Sequence, residues 1–122
     1  MNRDLPSEVQ QLLPLTPAVF YVLFSLGEGE KHGYAIMQET DKLSDGKFHM
    51  GPGTLYTTLQ RLLDLILIEE VEPDGSTSQD SRRRCYRLTS SGKSLLETEL
   101  GRMDLAVKLA RRRKLAPASE RS

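Results

Sequence analysis

Apolar positions along the chain fall into blocks of helical period, separated by glycine, proline and small polar residues. Residues 7–13 place Val9, Leu12 and Leu13 on one side of a two-turn helix that Pro14 ends. So short a helix forms only by packing on something else. Thr16-Pro17 reads as a helix start, with the Thr hydroxyl as cap and Pro at the first position, where its missing N–H costs nothing. Residues 18–27 are apolar on nearly every face, so this helix is expected to be buried, with Gly27 and Gly29 as its stop. A polar link over 28–32 leads to a second helix over 33–43, whose Ile36, Met37 and Leu43 share a stripe. Asp45-Gly46 ends it.

A third helix opens at Gly51-Pro52. Leu55, Leu59, Leu62, Leu63 and Ile66 recur every three or four residues and predict its packed face. The opposite face holds Thr54, Thr57, Thr58, Gln60, Arg61 and Asp64, with no aliphatic residue. Two helices joined by a short turn, the second dry on one side and hydrogen-bonding on the other, form the helix-turn-helix pattern. Residues 67–72 and 84–88 then read as two strands, and the Pro, Gly, Ser, Thr and Asp residues of 73–81 as the turn between them. The fold class expected is therefore mainly α with a small β-hairpin: a winged helix-turn-helix followed by one long helix.

That last helix starts at the cap Thr89 and extends to about residue 114. Leu96, Leu100, Met103, Val107 and Ala110 alternate at spacings of four and three. At about 1.5 Å per residue such a helix is near 37 Å long, more than a small domain's own core can cover. The stripe is assigned to dimerisation, with packing inside the chain as the alternative. Four parts result: an N-terminal segment, 1–14, with a short helix at the dimer interface; the winged helix-turn-helix, 15–88; the dimerisation helix, 89–114; and a disordered tail, 115–122.

Composition narrows the chemistry. The single cysteine, Cys85, excludes an intrachain disulfide framework and a Cys-rich zinc site. His32 and His49 have no further ligands at metal-binding spacing, and no cofactor is expected. Cys85 has arginine neighbours that favour a thiolate, so a thiol sensor stays open beside a bystander role. No phosphate loop, dinucleotide fingerprint or nucleophile elbow occurs, and Glu69 and Glu70 alternate across a strand rather than pair. Nothing points to an enzyme. The longest apolar run, 18–24, is short for a bilayer span, and residues 1–11 lack an apolar signal core. A cytoplasmic protein without membrane contact is the expectation.

The net charge of zero conceals a gradient. Residues 1–50 hold 4 basic and 7 acidic side chains, 51–80 hold 1 and 6, and 81–122 hold 12 and 4. Phosphate attraction is local over a Debye length of about 8–10 Å, so the Arg82-Arg83-Arg84 stretch matters more than the sum. Gly51-Pro52-Gly53-Thr54 brings bare backbone to a helix N-terminus, where free N–H groups favour an anion. Arg61 and Gln60 are side chains that read guanine and adenine edges, and Thr54 and Thr57 suit thymine methyls.

At these residues the chain resembles PadR-type transcriptional regulators. The resemblance rests on Leu15-Thr16-Pro17, His32-Gly33-Tyr34, Pro52-Gly53-Thr54-Leu55-Tyr56, Leu67-Ile68-Glu69-Glu70, Arg82-Arg83-Arg84, Tyr86-Arg87-Leu88-Thr89 and Gly92. It covers about residues 15–110, and one helix after the wing matches the short subgroup. It implies a homodimeric repressor on an inverted-repeat operator in double-stranded DNA, with the C-terminal helix as dimer contact. Tyr34, Gly53, Thr54 and Tyr56 fall in its DNA-facing region, and Arg82, Arg83 and Arg84 in its wing. It also implies a small aromatic or lipophilic effector, for which Phe20, Tyr21 and Phe24 offer either an interface pocket or ordinary core. A winged helix that contacts protein rather than DNA is the alternative. Two positions depart from the family pattern. Thr57 stands where a basic residue is frequent, removing a phosphate contact. Ile66 stands where Gly is common, and since a β-branched residue resists a left-handed cap, the third helix is expected to end differently or to run directly into the strand.

Overall fold

A computed structural model describes residues 5–72, 84–115 and 117. Among these residues, five helices and three strands follow in the order α1 (Ser7–Gln10), α2 (Pro17–Ser25), β1 (Lys31–His32), α3 (Gly33–Leu43), α4 (Pro52–Asp64), β2 (Ile68–Val71), β3 (Cys85–Leu88) and α5 (Ser90–Arg112), with a 3₁₀ turn at Leu26–Glu28.

α2 begins where the Thr-Pro pair places it: the Thr16 hydroxyl accepts from the Val19 N–H at 3.4 Å. It is the central element, packing on α3, α4 and α5. Val22 and Leu23 are sealed there with Ile36, Leu55, Leu62, Leu67 and Leu95. α3 ends at Asp45 and Gly46, both with positive φ. The predicted packed face of α4 is buried at Leu55, Leu59 and Leu62 and half-buried at Leu63. Thr58, expected among the polar residues, also turns inward and is buried.

Ile66 corrects the expectation for the end of α4. Its side chain is 69% exposed rather than packed, and its φ is 57°. The Leu67 N–H reaches the Leu62 carbonyl at 2.9 Å and the Ile66 N–H the Leu63 carbonyl at 3.0 Å. That bond pair is a Schellman cap, closed by the buried Leu62 and Leu67. The cap forms despite the isoleucine because two hydrogen bonds and a core leucine on its far side outweigh a left-handed residue costing roughly 1–2 kcal/mol.

The sheet has order β1-β3-β2 and is antiparallel throughout. β2 and β3 are the expected hairpin, with Ile68 opposite Leu88 and Glu69 opposite Arg87. β1 was not expected: two residues inside a polar link carry no periodicity, and only pairing of Lys31 with Tyr86 and His32 with Cys85 makes them a strand. Cys85 and Tyr86 are both buried, so the expected alternation along β3 holds only at its far end. The segment 73–83, read as the turn and the first wing arginines, lies outside the described residues.

α5 is capped by Thr89, whose hydroxyl accepts from the Gly92 N–H at 3.1 Å and donates to the Ile66 carbonyl at 2.7 Å. The Thr89 N–H donates to the Leu67 carbonyl at 3.1 Å. A Cβ on Gly92 would stand 2.0 Å from that same carbonyl oxygen, so only glycine lets α5 lie this close to the end of α4. Leu95 and Leu96 join the core and Leu100 packs against it. Beyond them the helix leaves the domain, and Met103, Leu105 and Leu109 are exposed.

Glu99 has no counterpart in the sequence reading. It is 2% exposed, accepts from the Leu15 N–H at 2.7 Å and pairs with the Arg102 guanidinium. The charge is tolerated because both carboxylate oxygens are engaged. It fastens the segment before α2 onto α5.

Candidate nucleic-acid interface

Burial of Leu55, Leu59 and Leu62 points the opposite side of α4 at solvent, where Gly53, Thr54, Tyr56, Thr57, Gln60 and Arg61 are all exposed. Tyr56, Thr57, Gln60, Arg61 and Asp64 line one shallow depression of about 540 Å³. The residues expected to read base edges thus share one surface. Asp64 joins them unexpectedly, its carboxylate accepting from the Gln60 amide at 2.9 Å. An i, i+4 Gln–Asp pair is the sequence signal that identifies such a contact.

At the start of α4 the cap residue is Gly51, which has no side chain to satisfy the first turn. Pro52 removes one orphan donor, and the first intrahelical bond runs from Leu55 N–H to the Gly51 carbonyl at 2.9 Å. The Gly53 and Thr54 N–H groups therefore emerge from a positive helix end. A Cβ on Gly53 would meet nothing within 4 Å, so packing inside the chain does not require glycine there. Gly33 is the reverse case. Its added Cβ would stand 2.8 Å from the Tyr56 hydroxyl oxygen, so this glycine lets α3 close onto α4. The next residue in the chain, Tyr34, is 67% exposed.

Between α4 and the sheet lies a crevice of about 390 Å³, bounded by Tyr56, Leu59, Gln60, Leu63, Glu70, Arg84 and Tyr86. Arg84 is not an unengaged wing cation: its guanidinium is 3.4 Å from the Glu70 carboxylate. Burial, and then the Glu70 charge, push the Tyr86 hydroxyl above its ordinary pKa, so it stays a neutral donor. Arg87 is held by Glu69 at 2.8 Å. The register that places Glu69 and Glu70 opposite the basic strand is what sequence reading missed. Arg82 and Arg83 lie outside the described residues.

Cys85 is buried, with its sulfur 3.5 Å from His32 Nδ1 across the β1–β3 pair. Among the described residues no three His, Cys, Asp or Glu side chains converge on a point, and no helix is long and apolar enough to cross a membrane. Phe20, Tyr21 and Phe24 are half-buried. Phe20 packs edge-on against Tyr21, and Tyr21 stacks on Phe48.

A buried helix leading into two helices joined by a turn, an exposed polar face on the second, and an antiparallel wing define a winged helix-turn-helix protein. The sequence profile of the PadR-like family of transcriptional regulators matches residues 22–98, and the chain belongs to that family. Residues of the chain are 38% identical over 82 positions to a 37.1 kDa protein in transposon TN4556 of Streptomyces fradiae, covering 67% of this chain and 21% of that protein. The chain thus spans about a fifth of that relative's length. A PadR family transcription regulator of Clostridium difficile superposes with a TM-score of 0.63 at 24% identity, over 80% of this chain and 97% of that one. Bacillus subtilis PadR in complex with operator DNA gives 0.60 at 25% identity, over 71% and 48%.

Proposed function

We propose that the protein is a cytoplasmic, homodimeric repressor that binds an inverted-repeat operator and is released by a small-molecule effector. The observation that carries the DNA reading is the single exposed face of α4, where Thr54, Tyr56, Thr57, Gln60 and Arg61 are held opposite a sealed leucine face. In this reading α4 enters the major groove and Arg61 and Gln60 specify bases. The Gly53 and Thr54 amides, Tyr34, Tyr56 and the wing arginines Arg82, Arg83 and Arg84 hold phosphates. Bacillus subtilis PadR, which is known in complex with operator DNA, supports it. The dimer reading rests on the apolar residues that α5 leaves uncovered beyond Leu100. Two copies of α4 related by a two-fold would meet half-sites about 34 Å apart.

Selection of duplexes from a random pool tests this. The expected result is an enriched inverted repeat with half-sites one helical turn apart. Arg61→Ala should relax preference at one base position per half-site, while Arg83→Ala should weaken all sequences alike. A second reading, docking to a basic protein, is favoured by the carboxylates of Asp64, Glu69 and Glu70 beside the same face. It is the one left standing if folded dimer enriches no sequence.

A further inference from the structure

The crevice between α4 and the sheet has an apolar floor and polar walls. Its volume of about 390 Å³ lies at the small end of the range for small-molecule sites, about 300–1,000 Å³, and suits a single ring with its substituents. Leu59 and Leu63, one turn apart on α4, form the floor. Strand pairing assembles the opposite wall: Glu70 lies directly across from Tyr86 in the β2–β3 ladder. Arg84 precedes Tyr86 by two residues, which returns it to the same face. Tyr56 and Gln60, both exposed, complete the lining.

Tyr86 marks this crevice as a binding site. The residue is 5% exposed and belongs to the core cluster, yet its hydroxyl makes no hydrogen bond with any described residue. Buried hydroxyls are ordinarily partnered. This one lies in the fields of Glu70, Tyr56 and Arg84, all of them crevice residues, so it opens into the crevice. Burial and the Glu70 charge keep it in its neutral form, so it offers a donor there.

Charge decides the class of ligand. Arg84 and Glu70 face each other at 3.4 Å, and the other lining residues are uncharged. An anion would gain Arg84 only against Glu70, and a cation would gain Glu70 only against Arg84. A neutral group with an acceptor and a donor side by side suits both. Its oxygen can accept from the Tyr86 hydroxyl while its N–H donates to the Glu70 carboxylate. An aromatic ring carrying that group would lie on Leu59 and Leu63 beside Tyr56. Tyr56 and Gln60 also line the depression on the exposed face of α4, so a ligand held here occupies two side chains that DNA reading requires.

We propose, resting on the reading of an effector-released repressor, that this crevice is the site of a neutral aromatic amide or lactam. Ligand and operator exclude each other there, because both need Tyr56 and Gln60.

Benzamide, benzoate and benzamidine have nearly one shape and differ in charge, so they serve as probes. With leucine methyls labelled in the full chain, benzamide should shift the NMR signals of Leu59 and Leu63. It should bind at least about tenfold more tightly than either charged probe, each of which buries a charge beside a like one. Tyr86→Phe keeps the buried ring and loses only the hydroxyl. Its melting temperature should hold while benzamide affinity falls about tenfold. Benzamide should also displace a duplex chosen by selection, and Tyr86→Phe should need about tenfold more of it. Unmoved Leu59 and Leu63 methyls, a preference for a charged probe, or full affinity in Tyr86→Phe overturns the site. Binding that leaves the duplex in place overturns the exclusion and keeps the repressor. A chain that holds no duplex overturns the repressor reading, and the methyl shifts then decide the site by themselves.

Discussion

Three residues differ in what their backbone positions demand, and each difference is measurable. Ile66 sits at φ 57° with its side chain in solvent, so its left-handed strain is not offset by packing. Ile66→Gly should stabilise the protein by about 1 kcal/mol after the entropy that glycine costs, raising the melting temperature by roughly 3–5 °C. Gly92 demands glycine: with a carbonyl oxygen 2.0 Å from an added Cβ, the backbone must move. Gly92→Ala should destabilise by about 3 kcal/mol or more, the range of severe core lesions, read as a lower denaturant midpoint. Gly53 lies inside α4 with open space around it, so Gly53→Ala should leave the protein as stable or up to about 1 kcal/mol more stable yet weaken DNA binding at least severalfold. That split between stability and affinity is what a glycine kept for close approach to a phosphate produces.

At the scale of elements, two polar fastenings hold the helices in register. Thr89 bridges the end of α4 to the start of α5 through the Ile66 and Leu67 carbonyls, so a shift of α5 moves the end of α4. Glu99 binds the segment before α2 to α5. Glu99→Ala should cost about 2 kcal/mol, since it leaves the half-buried Leu15 amide without its charged partner. Amide exchange over residues 5–16 should accelerate more than exchange in α2. Neither fastening has a periodic signature. Thr89 is recognisable as a cap, whereas Glu99 reads as one more surface acid until the fold encloses it. The same limit hid β1, whose two residues become a strand only against β3.

The whole molecule pairs a sealed domain with a helix that outruns it. Met103 is exposed and lies at the centre of the apolar stripe, so a charge there should not disturb the monomer's core. Met103→Glu should give a folded monomer by sedimentation. Its operator affinity should fall by about a hundredfold or more, because one half-site bound alone loses the gain from linkage. A monomeric variant with undiminished affinity would show that α5 is not what joins the reading helices. The charge gradient also acts at this scale. The chain's basic excess lies in residues 81–122, and part of it is engaged: Arg84 with Glu70, Arg87 with Glu69, Arg102 with Glu99.

The periodicity of apolar residues alone determined which segments are helices, which face of α4 is dry and that α5 extends past its domain, because burial of leucine at a helical period has few other solutions. Thr16 and Thr89 marked their helix starts for the same local reason: a cap needs only its own next three residues. The motifs carried the family. Tertiary structure decided what depends on residues far apart. It turned Thr58 inward, drove Ile66 into a left-handed cap, enclosed Glu99, made Lys31 and His32 a strand and set Arg84 and Arg87 against acids on β2. Each of these is the outcome of a contest between a local preference and the packing of distant elements, and the energy that settles it is absent until those elements meet.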